Sequence, residues 1–343
     1  MSWETGSQIP RKNEYISNED LLKKKGFLEE REAKLLFYEF LRNNTTFATD
    51  LITGVQLFPF QHMAIKSMLE SDYFLGVWSR GMSKSYTTGI YAVLDAILNQ
   101  GVETGILSRS FRQSKMIFKK IEDIAAKPEA YLLKQCITHV SKSNDEWVME
   151  IGKSRIRALP LGDGEKLRGF RFHRIIIDEF LLMPERIYNE VIVPFLSVVQ
   201  NPTQREELYQ AENNLIKQGK MEEKDRHQWP NNKLIALSSA SFKFEYLYKL
   251  YEQYENLIFN PKKGERTRRC VMQFSYDCAP VQLYDQNLIN QAKSTMSESQ
   301  FMREFGAQFT DDSSGYFKIS KMALCTVPDG ELLSTEVVGR SDA

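Results

Sequence analysis

Residues Tyr73–Ser85, YFLGVWSRGMSKS, govern the reading of the rest of the chain. Tyr73–Trp78 is an apolar run bounded by polar residues, the pattern of a strand buried on both faces. The loop SRGMSKS follows, and then the spacing predicts a helix over Tyr86–Asn99 that stops at Gly101. A phosphate-binding loop needs a strand before it, a helix after it, backbone N–H groups turned inward, a lysine for the β- and γ-phosphates and a hydroxyl for Mg²⁺. This loop supplies Lys84 and Ser85 in those places. It departs from GxxxxGK[ST] at both glycines, where Trp78 and Ser83 stand, and Gly81 is the only glycine inside it. Taken alone, the same loop is compatible with a plain surface turn.

On either side of this stretch the pattern is strand, loop and helix in repetition. Thr104–Ser108 is a second short strand and Phe111–Ala126 a second helix; Trp147–Ile151 and Arg155–Leu159 form a hairpin turning at Gly152. Arg174–Ile177 and Leu234–Leu237 are further buried strands, and another lies near Val271–Tyr276. Helices are predicted over Phe242–Leu257, Asp285–Ala292 and Ser297–Phe305, while 200–231 reads as a long polar excursion. Strands alternating with helices predict a mainly parallel sheet covered on both faces. Residues 1–54 read as amphipathic helices, with Asn18–Glu19–Asp20 available as a cap, and 311–343 show little periodicity.

The second chemical signal is Ile175–Ile176–Ile177–Asp178–Glu179. A buried strand ending in two carboxylates presents them at the carboxyl edge of a parallel sheet, where α/β proteins bind ligands. Asp178 is then placed to share a Mg²⁺ with Ser85, and Glu179 to polarise an attacking water. The bland alternative is a strand end with two solvated acids. The two signals in this order describe an ATPase that activates water with a glutamate.

Composition sets the outer limits. The 343 residues are 42% hydrophobic and 26% charged, which excludes fibrous and disordered classes and fits two domains or one large α/β domain with an appended part. The 45 basic and 45 acidic side chains cancel, so no global charge argues for nucleic acid. Lys23–Lys25 and Lys262–Arg269 are basic but sit among acids without interleaved aromatics, the mark of solvated faces. No run approaches the roughly 18 apolar residues of a membrane span, and MSWETGSQIPRKNEY lacks the apolar core of a signal peptide. Cys136, Cys270, Cys278 and Cys325 are too scattered for a disulfide framework, and with His62, His139, His173 and His227 they form no zinc-ligand spacing. The expectation is a soluble intracellular protein.

The set of motifs resembles the large subunit of the viral terminase, the ATP-driven motor that packages DNA in tailed bacteriophages. SRGMSKS is similar to that family's variant Walker A loop, with Arg80 a few residues before Lys84. Phe58–Pro59–Phe60–Gln61 resembles its adenine-recognition motif, Lys166–Leu167–Arg168–Gly169 its LRG segment, and Leu237–Ser238–Ser239–Ala240 its coupling motif. The resemblance covers about residues 55–310 in the family's order. It implies a P-loop NTPase fold of the ASCE type: a three-layer α/β sandwich with a central, mainly parallel sheet and a small helical lid. The implied division is an N-terminal lid segment over 1–54, an ATPase core over 55–260, a lid or C-terminal part over 261–310 and a linker over 311–343.

It implies further that ATP lies on Ser79, Arg80, Gly81, Met82, Ser83, Lys84 and Ser85, with Gln61 reading adenine and Mg²⁺ between Ser85 and the Walker B acid Asp178. Glu179 would orient water, Arg80 act in its own subunit, Arg168 serve as a finger for a neighbour, and Ser238, Ser239 and Ala240 couple hydrolysis to movement. The implied partners are double-stranded DNA, other copies in a ring, a portal and a small recognition subunit, with no membrane; the place is the host cytoplasm, transiently on the procapsid. Two departures matter. Ser83 stands where many members have glycine, which bears on loop geometry and turnover. Asp311, Asp312, Asp329, Glu331 and Glu336 lie in a tail too short for the family's nuclease domain, so the chain is read as an isolated ATPase domain, mostly monomeric and slow, without nuclease activity. Two other readings stay open: a helicase-like repair ATPase, for which little chain remains after Ser241 to build a second core, and a nucleotide-binding regulatory subunit without turnover.

Overall fold

The computed structural model describes residues 30–161, 167, 169–227, 229–265 and 267–311. Its centre is an eight-stranded sheet: β1 (Tyr73–Trp78), β2 (Glu103–Ser108), β3 (Ile137–Lys142), β4 (Trp147–Ile151), β5 (Ser154–Pro160), β6 (Arg174–Ile177), β7 (Lys233–Ser238) and β8 (Arg269–Phe274). The spatial order is β3-β4-β5-β2-β6-β7-β1-β8. The run from β5 to β8 is parallel throughout, and the β3–β4 and β4–β5 pairs at one end of the sheet are antiparallel. This is the three-layer α/β sandwich expected from the sequence. β7 lies between the strand that carries the phosphate loop and the strand that carries Asp178.

Both faces of the central strands are dry because their side chains alternate between two cores. Phe74, Trp78, Ile106, Ile176 and Ile235 enter one core; Leu75, Val77, Leu107, Ile175, Ile177 and Leu234 enter the other. The first core is covered by α1 (Glu30–Asn43), α2 (Thr45–Thr53), α3 (Pro59–Glu70), α4 (Lys84–Leu98) and α5 (Phe111–Ala125). A short helix, α6 (Tyr131–Cys136), leads into β3. The second core is covered by Phe180, Tyr188, Ile192 and Phe195 of the irregular stretch after β6, and by Leu247, Leu250 and Tyr254 of the helix after β7. α4 is buried nearly all round, and Arg174 at the start of β6 reaches Asp95 on it through a 2.8 Å ion pair sealed from water.

The chain between β6 and β7 holds the long helix α7 (Pro202–Lys217), and α8 (Tyr246–Phe259) follows β7. After β8 come α9 (Gln286–Thr295) and α10 (Glu298–Glu304), which gather a small core of their own around Ile289, Ala292 and Phe301. The N-terminal helices expected as part of a lid instead add Leu41, Ala48 and Ile52 to the first main core. The region after residue 260 contributes both the edge strand β8 and the separate α9–α10 pair. Three labelled elements went unrecognised in the sequence: the short helix α6, the strand β3 and the helix α7. β3 is polar and exposed along most of its length, and α7 buries little beyond Glu212, so neither carries a readable apolar period.

Candidate active site

Parallel register brings three loops to one edge of the sheet. Val77 pairs with Ser238 and Ile177 with Ala236, so the turns after β1, β6 and β7 emerge side by side. After Trp78 the chain must reverse into α4. Gly81 has φ +82°, and a Cβ there would meet the Tyr284 ring at 2.9 Å, so the position requires glycine twice over. Met82 is fully buried and anchors the loop to the core. Ser83 has φ +53° and ψ +33°, the left-handed conformation that glycine favours. The serine at this place therefore keeps the backbone geometry of a glycine, at a cost of roughly 1–2 kcal/mol for a residue with a Cβ. Its side chain caps nothing. Ser83→Gly should accordingly raise stability by up to about 1 kcal/mol, after the extra chain entropy of glycine is deducted; a denaturant midpoint that falls would show that the Ser83 hydroxyl holds the loop.

Among the described residues no backbone acceptor meets the N–H groups of Gly81, Met82, Ser83, Lys84, Ser85 or Tyr86. These groups, at a helix N-terminus, form an anion cradle. Lys84 is buried in its floor, donating to the Trp78 and Ser79 carbonyls at 3.2 Å each and to Ser239 Oγ at 3.3 Å. Burial lowers its pKa, against the opposing fields of Glu179 and Asp178. Ser85 Oγ donates to Asp178 Oδ2 at 2.8 Å. Burial pushes the Asp178 carboxyl up, while the Ser85 hydrogen bond and the Lys84 charge pull it down.

Glu179 follows in the left-handed region at φ +54°. Burial raises the Glu179 pKa; Lys84 opposes and Asp178 reinforces. It borders a cleft of about 550 Å³ whose wall is the loop from Arg80 to Ser85, with Gln113, Leu181 and Leu182 opposite. A smaller cavity of about 100 Å³ joins Glu179 to Ser239, Ala240 and Ser241. Ser238 Oγ accepts from Leu181 N at 3.0 Å, so β7 touches the acid-bearing turn as well as Lys84. The arrangement offers a bound phosphate chain a cation, a set of free donors and an adjacent half-buried base. A hydroxyl and a carboxylate already in contact also fit a hard divalent ion such as Mg²⁺, which takes few protein ligands. No cluster of three or more His, Cys, Asp or Glu that could hold a metal ion occurs among the described residues.

One described residue singled out in the sequence, Gln61, does not line the cleft. Gln61 is buried, its Oε1 accepting from Phe58 N at 2.9 Å and its Nε2 donating to Thr87 Oγ1 at 3.2 Å. These bonds close the start of α3 and tie that helix to α4. Arg168, with Lys166, lies outside the described residues, as do 1–29 and 312–343. Arg80 is at the cleft mouth, but its guanidinium pairs with Glu304 of α10 and its N–H donates to the Glu304 carbonyl at 3.0 Å. Tyr284 OH donates to the Arg80 carbonyl at 2.8 Å and lies 3.1 Å from Ser79 Oγ. Tyr284 and Glu304 meet the phosphate loop from about two hundred residues away, Arg303 lines a cavity with Arg80, and no local pattern announces them. Gln113 was readable only as the third residue of a helix whose cap is Ser110.

The parallel sheet, the loop between β1 and α4, and the acids at the end of β6 define a P-loop α/β fold. No protein-family model and no curated protein sequence matches the chain. Among solved structures, the chain is similar to the large terminase ATPase domain of Thermus phage P74-26, with a TM-score of 0.51 at 14% identity over 76% of this chain and 97% of that one. An arginine-to-alanine variant of the same domain gives 0.50 at 16% identity, with the same coverage. The large terminase of bacteriophage HK97 gives 0.49 at 14% identity over 79% of this chain and 54% of that one. The fold is that of a large-terminase ATPase domain. No described helix is long and apolar enough to cross a membrane.

Proposed function

We propose that this chain is an ATPase that drives double-stranded DNA through a viral packaging motor. The observation that carries the reading is the 2.8 Å bond from Ser85 to Asp178 beneath Lys84 and a row of unengaged backbone donors. In this reading the triphosphate lies along the Gly81–Tyr86 amides, and Lys84 exchanges its carbonyl partners for β- and γ-phosphate oxygens. Ser85 and Asp178 would hold Mg²⁺, which neutralises charge on the phosphates when bound. Glu179 accepts the proton of the attacking water and aims its lone pair at the γ-phosphorus. Arg80, once free of Glu304, reaches the γ-phosphate of its own subunit. Arg168 is proposed as the finger given to a neighbour in a ring, an interaction worth ~10³–10⁵ in rate.

Loss of the γ-phosphate would be felt at Ser239, which shares Lys84, and passed along β7, the strand that also bonds the acid-bearing turn. Portal and small-subunit contacts belong to the same proposal, as does a site of action in the host cytoplasm at the procapsid. The test is Mg²⁺-dependent phosphate release from ATP across a wide range of protein concentration. Turnover rising faster than linearly supports an enzyme completed by its neighbours; ATP binding without release at any concentration, with or without DNA, would leave a regulatory nucleotide-binding protein instead.

A further inference from the structure

Trp147, at the start of β4, is ringed by lysines. Lys142 Nζ lies 4.7 Å from its ring centroid, Lys115 Nζ 4.8 Å and Lys119 Nζ 5.9 Å. Lys115 also caps the Phe111 ring at 3.8 Å. Two different regularities bring them together. Phe111, Lys115 and Lys119 follow at intervals of four on one stripe of α5, and Lys142 is the direct cross-strand partner of Trp147 in the β3–β4 hairpin. Of the three ammonium groups only Lys142 has a carboxylate, Glu122 at 2.8 Å. Lys115 and Lys119 make no ion pair among the described residues. Arg112 and Lys120 are exposed on the same helix; the exposed acids nearby are Asp123 on that helix and Asp145 in the turn of the β3–β4 hairpin, fewer than the basic groups they face. In a chain of zero net charge this is a local concentration of positive potential, held in place by aromatic faces.

We propose that this surface binds the phosphate backbone of duplex DNA; the proposal rests on the function inferred above and names the face that carries it. Lysines are point charges on flexible stems, suited to phosphates and not to the edges of bases. Their spread along a helix stripe and across a hairpin matches a repeating polyanion better than one small anion. Single strands are the poorer fit, because stacking needs an open ring. The Trp147 ring is already taken up by the three lysines and by the edge contacts of Phe111 and Phe118 at 6.5 and 5.6 Å. The same helix starts at the nucleotide cleft, where Gln113 lies two residues before Lys115. Strain at the phosphates therefore has a rigid element leading to the bound DNA.

The test is fluorescence anisotropy of a labelled duplex of random sequence against the full chain over a range of salt. Lys115→Gln combined with Lys119→Gln should weaken binding at least about tenfold at 0.1 M salt and reduce the slope of log K against log salt by roughly 1.8, at about 0.9 per lost phosphate contact. Lys115→Arg with Lys119→Arg should restore both, and both variants should keep the wild-type melting temperature and phosphate release without DNA. An unchanged slope in the glutamine variant overturns this surface while leaving the ATPase reading intact. Tighter binding of a single strand of the same length, with quenching of Trp147 emission, overturns the duplex assignment. A wild type that binds no DNA at low salt, yet hydrolyses ATP, overturns both this surface and the packaging role.

Discussion

Lys84→Ala should weaken Mg-ATP binding by at least about a hundredfold and remove measurable turnover. The ammonium is the one buried cation in the floor of the cradle, and its present partners are two carbonyls and a hydroxyl, all weaker acceptors than phosphate. A hydrogen bond from a charged donor contributes about 1.5–3 kcal/mol, and each 1.4 kcal/mol is tenfold in affinity. Two such bonds to phosphate oxygens account for the expected loss. The fold should survive, because truncation leaves carbonyl oxygens that water can reach from the cleft. Calorimetric titration reads the affinity and thermal melting the fold; normal affinity in a folded variant would remove Lys84 from the phosphate site. Lys84→Arg provides a second arm. A planar guanidinium cannot reproduce the compact set of contacts that one ammonium makes to Trp78, Ser79 and Ser239, so it should rescue little.

Glu179→Gln should lower turnover about 10²–10⁴-fold, the range expected for loss of a general base, while ATP binding stays equal or tightens as a negative charge leaves the cleft. Geometry is preserved, since glutamine is isosteric and no less able than glutamate to hold φ +54°. The pH profile tests the role further. Burial raises the Glu179 pKa, so protonation begins at higher pH than for an ordinary carboxylate. Only the deprotonated form accepts a proton, so wild-type turnover should fall as pH drops through that raised value, and the residual rate of Glu179→Gln should lack this acid limb. Single-turnover phosphate release over a pH series gives both quantities. Retained turnover with the same acid limb in the variant would assign the base elsewhere.

Much of the molecule was legible because burial is written as composition. Ile175–Ile177 and Leu234–Leu237 have no polar residue to place in water, so they become inner strands, and whatever follows them arrives at the sheet edge. That reasoning put Asp178 and Glu179 at the sheet edge; Ser238–Ala240 was singled out by resemblance, and parallel register sets both beside the loop carrying Lys84 and Ser85. The polar edge strand β3 and the solvated helix α7 were illegible for the converse reason. Gln61 marks a different limit. The stretch Phe58–Gln61 is compatible both with a base-reading amide and with a helix start, and the bond from Gln61 to Thr87, an acceptor supplied by another helix, is written nowhere in its local pattern.

Local order along the chain is enough to specify the type of fold, the strand ends that carry the acids, and the residue types needed to hold a triphosphate. It says nothing of the angle at which Ser83 is held, because a left-handed serine is tolerated only when Met82 and α4 pin the loop from both sides. Nor does it reveal that Glu304 and Tyr284 grip Arg80 and Ser79, or that three lysines share one indole. Those facts depend on pairs far apart in the chain, and a side chain's spacing encodes which face it occupies but not which distant group will come to lie against it.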